Sequence, residues 1–365
     1  MDKSTERELL RVSAACSIAE VMADLAKALA GDGPALGFGD LQSTHVPKRV
    51  AVVIGTSGST GAPKEVGLST TALLASARAS NQYLGADFGQ TWSLLLSLTH
   101  IAGVNVLVRS LELGTMPIDL RNTDEYPKAD FTAIVPTQLF RALNGDALLL
   151  EHLKNCRAVL IGGAALPDGI GKQANDLGIT IVSTYGMTET SGGCIYDGIP
   201  LDCVDVEITT EGRIKIRGPI LASAYLNDPT GWERALVDGW FVTNDLGVFD
   251  SGKLKIQGRV DDVIVSGGEK ISLNAVELAL NSHYANSEFA AFAIADPEWG
   301  SALYVAIAGT PMISTDEITL YLAQSLGNVA KPKGFLALPT LPLIGVGKVD
   351  RKALAQLAIH ERQIR

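Results

Sequence analysis

The segment VVIGTSGSTGAPKEVGLS, residues 52–69, is the most informative part of the chain, because an apolar run leads into a loop of small and hydroxylated residues. Glycines let the backbone approach an anion closely, and backbone N–H groups and hydroxyls together can bind phosphate oxygens. Lys64 adds a positive charge at the end of the loop. The segment predicts a buried strand over residues 49–55, a phosphate-binding loop, and a helix over residues 67–83.

Two common nucleotide-binding loops do not match this segment. A Walker loop needs Gly-Lys-Ser/Thr, but Pro63 precedes Lys64 and Glu65 follows it. A dinucleotide-binding loop needs Gly-x-Gly-x-x-Gly, and the glycines here are spaced by three. A flexible serine- and glycine-rich connection is the structural alternative. The predicted phosphate contacts are Thr56, Ser57, Gly58, Ser59, Thr60, Gly61 and Lys64.

The composition indicates a folded protein of two or three domains. The chain has 365 residues, of which 47% are hydrophobic and 19% charged, with 37 glycines. Its formal net charge is −10, from 30 basic and 40 acidic residues. An acidic chain without a basic run predicts neither nucleic-acid binding nor attraction to an anionic membrane surface.

The cysteines and the N-terminus indicate a cytoplasmic protein. None of the four cysteines belongs to a Cys-x-x-Cys pair, which predicts reduced structural thiols. Residues 1–31 lack the order of a signal peptide and have apolar residues at helical spacing, which predicts an amphipathic helix. No apolar run approaches the ~20 residues that a membrane span needs.

The chain divides into two predicted domains of the α/β class. Short apolar strands alternate with helices through about residue 200, which predicts a layered α/β body. A β-rich part follows, with a hairpin at VDVEITTEGRIKIRG, residues 204–218. A charged stretch then precedes a small α+β unit. We expect a large N-terminal domain over residues 1–260 and a small mobile C-terminal domain over residues 261–365, joined by a hinge.

The phosphate loop resembles a signature of the adenylate-forming superfamily, which includes acyl-CoA synthetases, luciferases and adenylation domains. Four further segments resemble later motifs of that superfamily, in order: STYGMTET (183–190), GWFVTNDLG (239–247), GRVDDVIVSGGEKIS (258–272) and PLIGVGKVDRKAL (342–354). Five ordered matches make a chance resemblance very improbable. The resemblance implies ATP, Mg²⁺ and CoA: a carboxylic acid attacks the α-phosphorus of ATP, and a thiol then displaces AMP.

The resemblance also implies roles for individual residues. Thr188 would bind the α-phosphate, Glu189 would hold Mg²⁺, and Lys348 would bridge the carboxylate and the α-phosphate during adenylation. A solvated Glu189 and a solvated Lys348 are the structural alternatives. The remaining predicted nucleotide and CoA contacts are Gly162, Gly163, Ala164, Tyr185, Gly186, Met187, Asp245, Arg259, Gly267 and Gly268, with Asp261 as the hinge.

One position departs from the superfamily pattern in this region. The usual Thr-Gly-Asp is Thr243-Asn244-Asp245 here. Because asparagine tolerates a positive φ better than most residues, we expect the change to be harmless.

The acid-binding residues are predicted from two polar residues in the apolar segment 96–114. His100 resembles a histidine beside the bound acid, with a satisfied core histidine as the alternative. Arg109 is more informative, because a buried arginine is costly unless an anion pairs with it. Its spacing from His100 is similar to that in o-succinylbenzoate–CoA ligases of menaquinone synthesis, whose substrate has a second carboxylate. Pairing with Asp119 or Glu112 is the structural alternative.

The segment SGGCIYDGIPLDCVDVEI, residues 191–208, resembles the compact actinobacterial form of these ligases. Ser191, Gly192 and Gly193 would then line the acid pocket. About fifty residues precede the phosphate loop, fewer than in most relatives, which predicts a reduced N-terminal subdomain and an apolar surface for a homodimer. Three alternatives stay open: a ligase for another small acid, an adenylation domain that loads a carrier protein, and a nucleotide-binding module without catalysis.

Overall fold

The computed structural model describes residues 5–13, 16–56, 64–123, 125–284, 287–309, 313–344 and 348–364. Five predicted phosphate contacts lie outside these ranges: Ser57, Gly58, Ser59, Thr60 and Gly61. The side chain of Lys348 also lies outside what the structure describes.

Six strands form the first sheet: β1 (Glu6–Arg11), β2 (Ala35–Phe38), β3 (His45–Pro47), β4 (Val50–Thr56), β5 (Lys64–Ser69) and β15 (Ala224–Tyr225). Their spatial order is β15–β5–β4–β2–β1–β3. β4 and β5 run antiparallel, with Thr56 opposite Lys64. The phosphate loop therefore connects two paired strands, and the prediction of a helix from residue 67 is wrong at its start. The helix begins at Thr70 because Lys64–Ser69 completes the sheet.

The first thirty residues also differ from the single predicted helix. β1 precedes helix α1 (Ile18–Ala30), which begins with a capping box between Ser17 and Glu20 and ends at Gly31 with φ +83°. Leu9 of β1 is buried, and the strand pairs with β2 and β3. Helical periodicity in the sequence could not reveal this pairing, because the partners of β1 lie more than twenty residues away.

Seven strands form the second sheet: β6 (Trp92–Leu94), β7 (Ile118–Asp119), β8 (Phe131–Ile134), β9 (Ala158–Ile161), β10 (Ile181–Met187), β11 (Gly192–Tyr196) and β12 (Ile199–Pro200). Their order is β12–β11–β10–β9–β8–β6–β7, parallel from β7 to β10 and antiparallel from β10 to β12. The helices of this region are α2 (Thr70–Tyr83), α3 (Ile101–Glu112), α4 (Pro136–Leu143), α5 (Ala147–Asn155) and α6 (Asp168–Asp176). A later helix, α7 (Pro229–Ala235), contacts β15 of the first sheet. The alternation of strands and helices predicted for this region is confirmed.

The β-rich part contains β13 (Asp205–Ile208), β14 (Arg213–Arg217), β16 (Leu236–Val237), β17 (Trp240–Asp250) and β18 (Lys253–Arg259). β13 and β14 are neighbours in their sheet, which confirms the predicted hairpin around Gly212, where φ is +82°. β17 and β18 pair antiparallel, with Asp245 opposite Arg259. This register brings together two of the predicted ribose and phosphate contacts.

The C-terminal sheet contains β19 (Val263–Ser266), β20 (Glu269–Ser272), β21 (Glu288–Asp296), β22 (Gly300–Ala308) and β23 (Gly334–Leu338), and β24 (Leu343–Ile344) and β25 (Lys348–Val349) form a separate pair. The helices are α8 (Leu273–His283), α9 (Thr315–Leu326) and α10 (Arg351–Ile364). Alternate residues of β21 serve two cores. Phe289 packs in a cluster with α8 and α9, and Phe292 packs in a second cluster with Leu354 of α10.

Contacts divide the chain into two compact units. The first comprises residues 1–166, 172–207 and 215–243, and the second comprises residues 167–171, 208–214 and 244–365. The fold class is the predicted one, a large α/β region followed by a small α+β region. The domain boundary at residue 260 and the role of Asp261 as a hinge stay predictions. Within the described ranges, every helix is too short or too polar to cross a bilayer.

Candidate active site

Glu189 lies on a single 3₁₀ turn, Thr188–Thr190, directly after β10. Its Oε1 accepts a hydrogen bond of 2.7 Å from the hydroxyl of Tyr225, whose residue is only 3% exposed. Burial, followed by the negative charge of Glu189, raises the pKa of Tyr225 above its ordinary value. The phenol therefore stays a donor at neutral pH and orients the carboxylate. Sequence reasoning missed Tyr225, which follows Glu189 by 36 residues and belongs to no quoted motif.

Lys64 lies over the ring of the same tyrosine, with its Nζ 4.3 Å from the ring centre. Tyr225 thus brings the lysine of the phosphate loop and the carboxylate of Glu189 to one place in the first unit. A cation and a carboxylate beside one another suit a metal-bound phosphate chain, because each complements one partner of that complex.

Glu65, next to Lys64, anchors the strand β5. It is 1% exposed and accepts hydrogen bonds from the backbone N–H groups of Gln42 and Ser43 and from the Ser43 hydroxyl. Its own N–H donates to Asn227 at 3.0 Å. Alternation along β5 turns Lys64 away from Glu65, so that a buried anchor fixes the strand that presents the lysine. The residue that excluded a Walker loop therefore has a structural role.

Close backbone approach explains the glycines of the turn between β10 and β11. A Cβ on Gly186 would lie 2.0 Å from the carbonyl oxygen of Gly192. Gly192 has φ +93°, and a Cβ there would lie 2.1 Å from Nδ2 of Asn105. Thr190 ties the turn together, since its Oγ1 accepts from the N–H of Met187 and contacts the carbonyl of Gly192. The turn that carries Thr188 and Glu189 is therefore closely packed.

The predicted purine-lining residues lie on or directly after two paired strands, β9 and β10. A Cβ on Gly162 would lie 2.4 Å from Oγ1 of Thr184, which directly precedes Tyr185. Gly163 has φ +87°, in the left-handed region that favours glycine, and Gly163 and Ala164 are both exposed. Gly162 thus packs closely against β10 at Thr184, where a larger side chain would not fit.

His100 and Arg109 stand at opposite ends of α3. His100 is the N-cap residue and is partly exposed. Arg109 is 3% exposed, donates from Nη2 to the Tyr196 hydroxyl at 3.1 Å and lies 4.9 Å from the centre of the Trp92 ring.

The two acidic residues considered as structural partners of Arg109 pair with other arginines. Glu112 pairs with Arg78 at 2.5 Å and Asp119 with Arg121 at 2.8 Å. Within the described part of the chain, Arg109 makes no ion pair with a carboxylate. The structural alternative that was considered for this arginine is therefore wrong.

In the second unit, one guanidinium links the predicted ribose acceptor and the predicted hinge. Arg259 donates to Asp245 and to Asp261, in both cases at 2.9 Å. Asn244 donates to Asp261 at 3.4 Å and accepts from Arg213 at 2.9 Å. Asn244 lies inside β17 without a positive φ, so the tolerance invoked for asparagine is not needed there. Its side chain instead belongs to this polar group.

The last predicted contacts also lie in the second unit. Gly267 and Gly268 form the turn between β19 and β20, with φ +58° and +86°. A Cβ on Gly267 would lie 2.6 Å from the Trp299 ring, whereas Gly268 faces open space. Lys348 pairs with Ile344 through the backbone of β24 and β25. The channel role of the two glycines and the catalytic role of Lys348, at the start of β25, stay predictions.

The residues present suit Mg²⁺ bound together with a nucleotide rather than a metal bound by protein alone. No group of three or more His, Cys, Asp or Glu side chains among the described residues could hold a metal ion. Mg²⁺ commonly takes one or two carboxylates and completes its shell with phosphate oxygens and water. Glu189, oriented by Tyr225, offers such a carboxylate.

Comparison with known proteins identifies the family. The model of the AMP-binding enzyme family matches residues 7–226, and that of the AMP-binding enzyme C-terminal domain matches residues 275–348. A probable 2-succinylbenzoate–CoA ligase of Mycobacterium tuberculosis is 38% identical, over 95% of this chain and 97% of its own length. A 2-succinylbenzoate–CoA ligase of Listeria monocytogenes is 28% identical, over 87% of this chain and 72% of its own.

Solved structures agree with the family match. The o-succinylbenzoate CoA synthetase of Bacillus subtilis, in complex with its acyl-adenylate intermediate, matches with a TM-score of 0.75 at 24% identity, over 95% of this chain and 82% of that one. The E. coli enzyme, with a bound analogue, matches with a TM-score of 0.69 at 25% identity, over 96% and 82% of the two chains. The chain belongs to the AMP-binding enzyme family.

Proposed function

We propose that this protein is an AMP-forming acid–CoA ligase that converts o-succinylbenzoate, ATP and CoA into o-succinylbenzoyl-CoA, AMP and pyrophosphate, a reaction of menaquinone synthesis. The observation that carries the proposal is the 38% identity with a probable 2-succinylbenzoate–CoA ligase along nearly the whole of both chains. The geometry around Glu189, Tyr225 and Lys64 supports it, because the first half-reaction needs positive charge and a metal at the phosphate chain of ATP.

The reaction has two displacements. In the first, a carboxylate oxygen of the acid forms a bond with the α-phosphorus of ATP, and the bond from that phosphorus to the bridging oxygen breaks, releasing pyrophosphate. In the second, the thiol of CoA loses its proton, its sulfur bonds to the acyl carbon, and AMP leaves with the electron pair of the broken C–O bond. Both steps bring anionic groups together, so catalysis depends on charge neutralisation and positioning.

Residues of the first unit would serve the phosphate chain. Lys64 would neutralise charge on the phosphates, Thr188 would donate to an α-phosphate oxygen, and Glu189 would hold Mg²⁺. When bound, Mg²⁺ supplies positive charge that stabilises the negative charge developing on the phosphate oxygens. Tyr225 donates to Glu189 and thereby holds the carboxylate in one orientation. Lys348 would add a second cation near the reacting carboxylate.

The residues predicted to contact the nucleoside occur in both units. Tyr185 would stack on adenine, with Gly162, Gly163 and Ala164 opposite. Asp245 would accept from the ribose hydroxyls. Its ion pair with Arg259 holds the carboxylate in one orientation for that purpose.

The acid would lie near His100 and the backbone of Gly192 and Gly193. Ser191 would shape this wall through its backbone, since its hydroxyl already donates to the carbonyl of Ile220 at 2.8 Å. Arg109 is the candidate for the second carboxylate of the substrate, supported by a buried guanidinium without a carboxylate partner among the described residues. CoA would reach the acyl-adenylate along Gly267 and Gly268.

A cytoplasmic location and a homodimer complete the proposal. All four cysteines are free, and burial raises the pKa of the Cys194 thiol to about 12, so that this thiol is unreactive at neutral pH. Free buried thiols are typical of a reducing compartment. Sedimentation or light scattering tests the homodimer, which a monomeric mass at micromolar concentration would contradict.

The proposed function is tested by pyrophosphate release with ATP and Mg²⁺, with and without CoA. The panel of acids contains o-succinylbenzoate, benzoate, a medium-chain fatty acid and several amino acids. We expect a strong preference for o-succinylbenzoate and turnover that depends on CoA. A preference for another acid would contradict the proposed substrate and leave the proposed type of reaction intact. Transfer to a carrier protein but not to CoA indicates a carrier-loading domain, and no release with any acid indicates a binding module.

A further inference from the structure

The neighbouring helices α2 and α3 both contact the β10–β11 region through buried polar side chains. On each helix these side chains have the same spacing. Ser76 and Ser80 on α2 are four residues apart, and Asn105 and Arg109 on α3 are also four apart. Residues at this spacing lie on one face of a helix. All four are at most 3% exposed. Each helix therefore presents two polar groups, one turn apart, to the same part of the fold.

One residue from each helix, Ser76 and Asn105, holds Ser191. The Ser76 hydroxyl and the Asn105 amide both donate to the Ser191 carbonyl oxygen, at 2.9 and 2.7 Å. Ser191 has φ +50°, a left-handed conformation that few non-glycine residues adopt. Its N–H donates to the carbonyl of Thr188 at 3.0 Å. The two helices therefore bind the residue that closes the turn carrying Glu189.

The other residue of each helix, Ser80 on α2 and Arg109 on α3, holds Tyr196 at the other end of β11. The Tyr196 hydroxyl lies 2.8 Å from the Ser80 hydroxyl and accepts from Arg109 at 3.1 Å. Tyr196 is fully buried. Because one pair acts just before β11 and the other at its last residue, this strand cannot slide or tilt against the helices without breaking buried hydrogen bonds, which is costly.

We propose that Ser76, Ser80, Asn105 and Arg109, together the helix clamp, are positioning residues that set the place of Thr188 and Glu189 for adenylation. This inference rests on the proposed function, since it takes Thr188 and Glu189 as the groups that serve the phosphate chain and the metal. The direct link is the bond from Ser191 to the carbonyl of Thr188. Arg109 can also serve a substrate carboxylate, because a guanidinium has five N–H donors and its Nε has no partner among the described residues.

The test compares Ser76→Ala and Asn105→Ala with the matched control Ser110→Ala in the full-length protein. Ser110 is fully buried on α3, and its hydroxyl has no hydrogen-bond partner in the described structure. The readouts are kcat and KM for pyrophosphate release with o-succinylbenzoate, the Mg²⁺ concentration for half-maximal rate, and amide hydrogen exchange of residues 188–193. Each clamp variant should lower kcat about tenfold, raise the Mg²⁺ concentration needed for half-maximal rate and speed exchange in the turn. The control should change none of these.

Two results overturn the helix clamp. One is a wild-type kcat and wild-type exchange in both clamp variants. The other is a lower melting temperature with unchanged kcat and Mg²⁺ dependence, which would make the contacts purely structural. If Asn105→Ala does not fold, Ser76→Ala and Tyr196→Phe decide, since each removes a single hydroxyl. If the wild-type protein activates no acid, the proposed function fails, and hydrogen exchange in the turn still decides whether the helices hold it.

Discussion

Removing the hydroxyl of Tyr225 tests how Glu189 is oriented. Tyr225→Phe deletes the donor that lies 2.7 Å from Oε1 of Glu189 and keeps the ring that lies 4.3 Å from Nζ of Lys64. A hydrogen bond to a charged group contributes about 1.5–3 kcal/mol, and each ~1.4 kcal/mol is a tenfold change in rate or affinity. If the bond acts fully in the transition state, kcat/KM for o-succinylbenzoate in adenylation falls by about 10- to 150-fold.

The assay is pyrophosphate release over separate titrations of o-succinylbenzoate and of Mg²⁺. We expect the variant to need more Mg²⁺ for half-maximal rate, because its carboxylate is no longer held in one orientation. Tyr83→Phe is the matched control, since it removes a phenol that donates to Asp197 at 3.1 Å on an exposed part of the first unit. A Tyr225→Phe variant with kcat/KM within twofold of wild type, or with tighter Mg²⁺ binding, would refute the reasoning.

Three further predictions concern single residues of the site. Lys348→Ala should suppress adenylation far more than thioester formation from supplied acyl-adenylate, measured in separate half-reactions, and equal losses would contradict its proposed role. Arg109→Gln should raise KM for o-succinylbenzoate more than for an analogue lacking the second carboxylate, whereas an equal change in kcat for both would leave only the positioning role. Gly186→Ala should destabilise the protein by about 1–3 kcal/mol in urea unfolding, because its Cβ would lie 2.0 Å from the Gly192 carbonyl oxygen. A shift below about 0.5 kcal/mol would show that the turn can relax.

The sequence predicted the local elements and their order better than the pairing between strands. The order of the five motifs, the alternating α/β region and the C-terminal α+β region were all predictable, because each depends on local patterns. The strand β5 was not, since KEVGLS continues into a helical pattern and its partner β4 lies across the phosphate loop. A pattern read along one segment carries no information about pairing with another.

The side chains that orient the site were missed for a related reason. Tyr225, Ser76 and Asn105 belong to no motif, and each acts through a contact far away in the sequence: Ser76 meets Ser191 across 115 residues. Arg109 was singled out as a buried cation, and its burial is confirmed. The hydroxyl of Tyr196 as its neighbour could not be predicted, because a tyrosine in an apolar strand has the same pattern as any core residue.

The central claim is that this protein activates o-succinylbenzoate as an adenylate and transfers it to CoA. The most direct measurement is a quenched reaction of the protein with ATP, Mg²⁺ and o-succinylbenzoate without CoA, analysed by mass spectrometry. We predict an o-succinylbenzoyl-adenylate in amounts close to the enzyme concentration, which disappears when CoA is added as o-succinylbenzoyl-CoA and AMP appear. An absence of the adenylate, or an adenylate that CoA leaves unchanged, would contradict the claim.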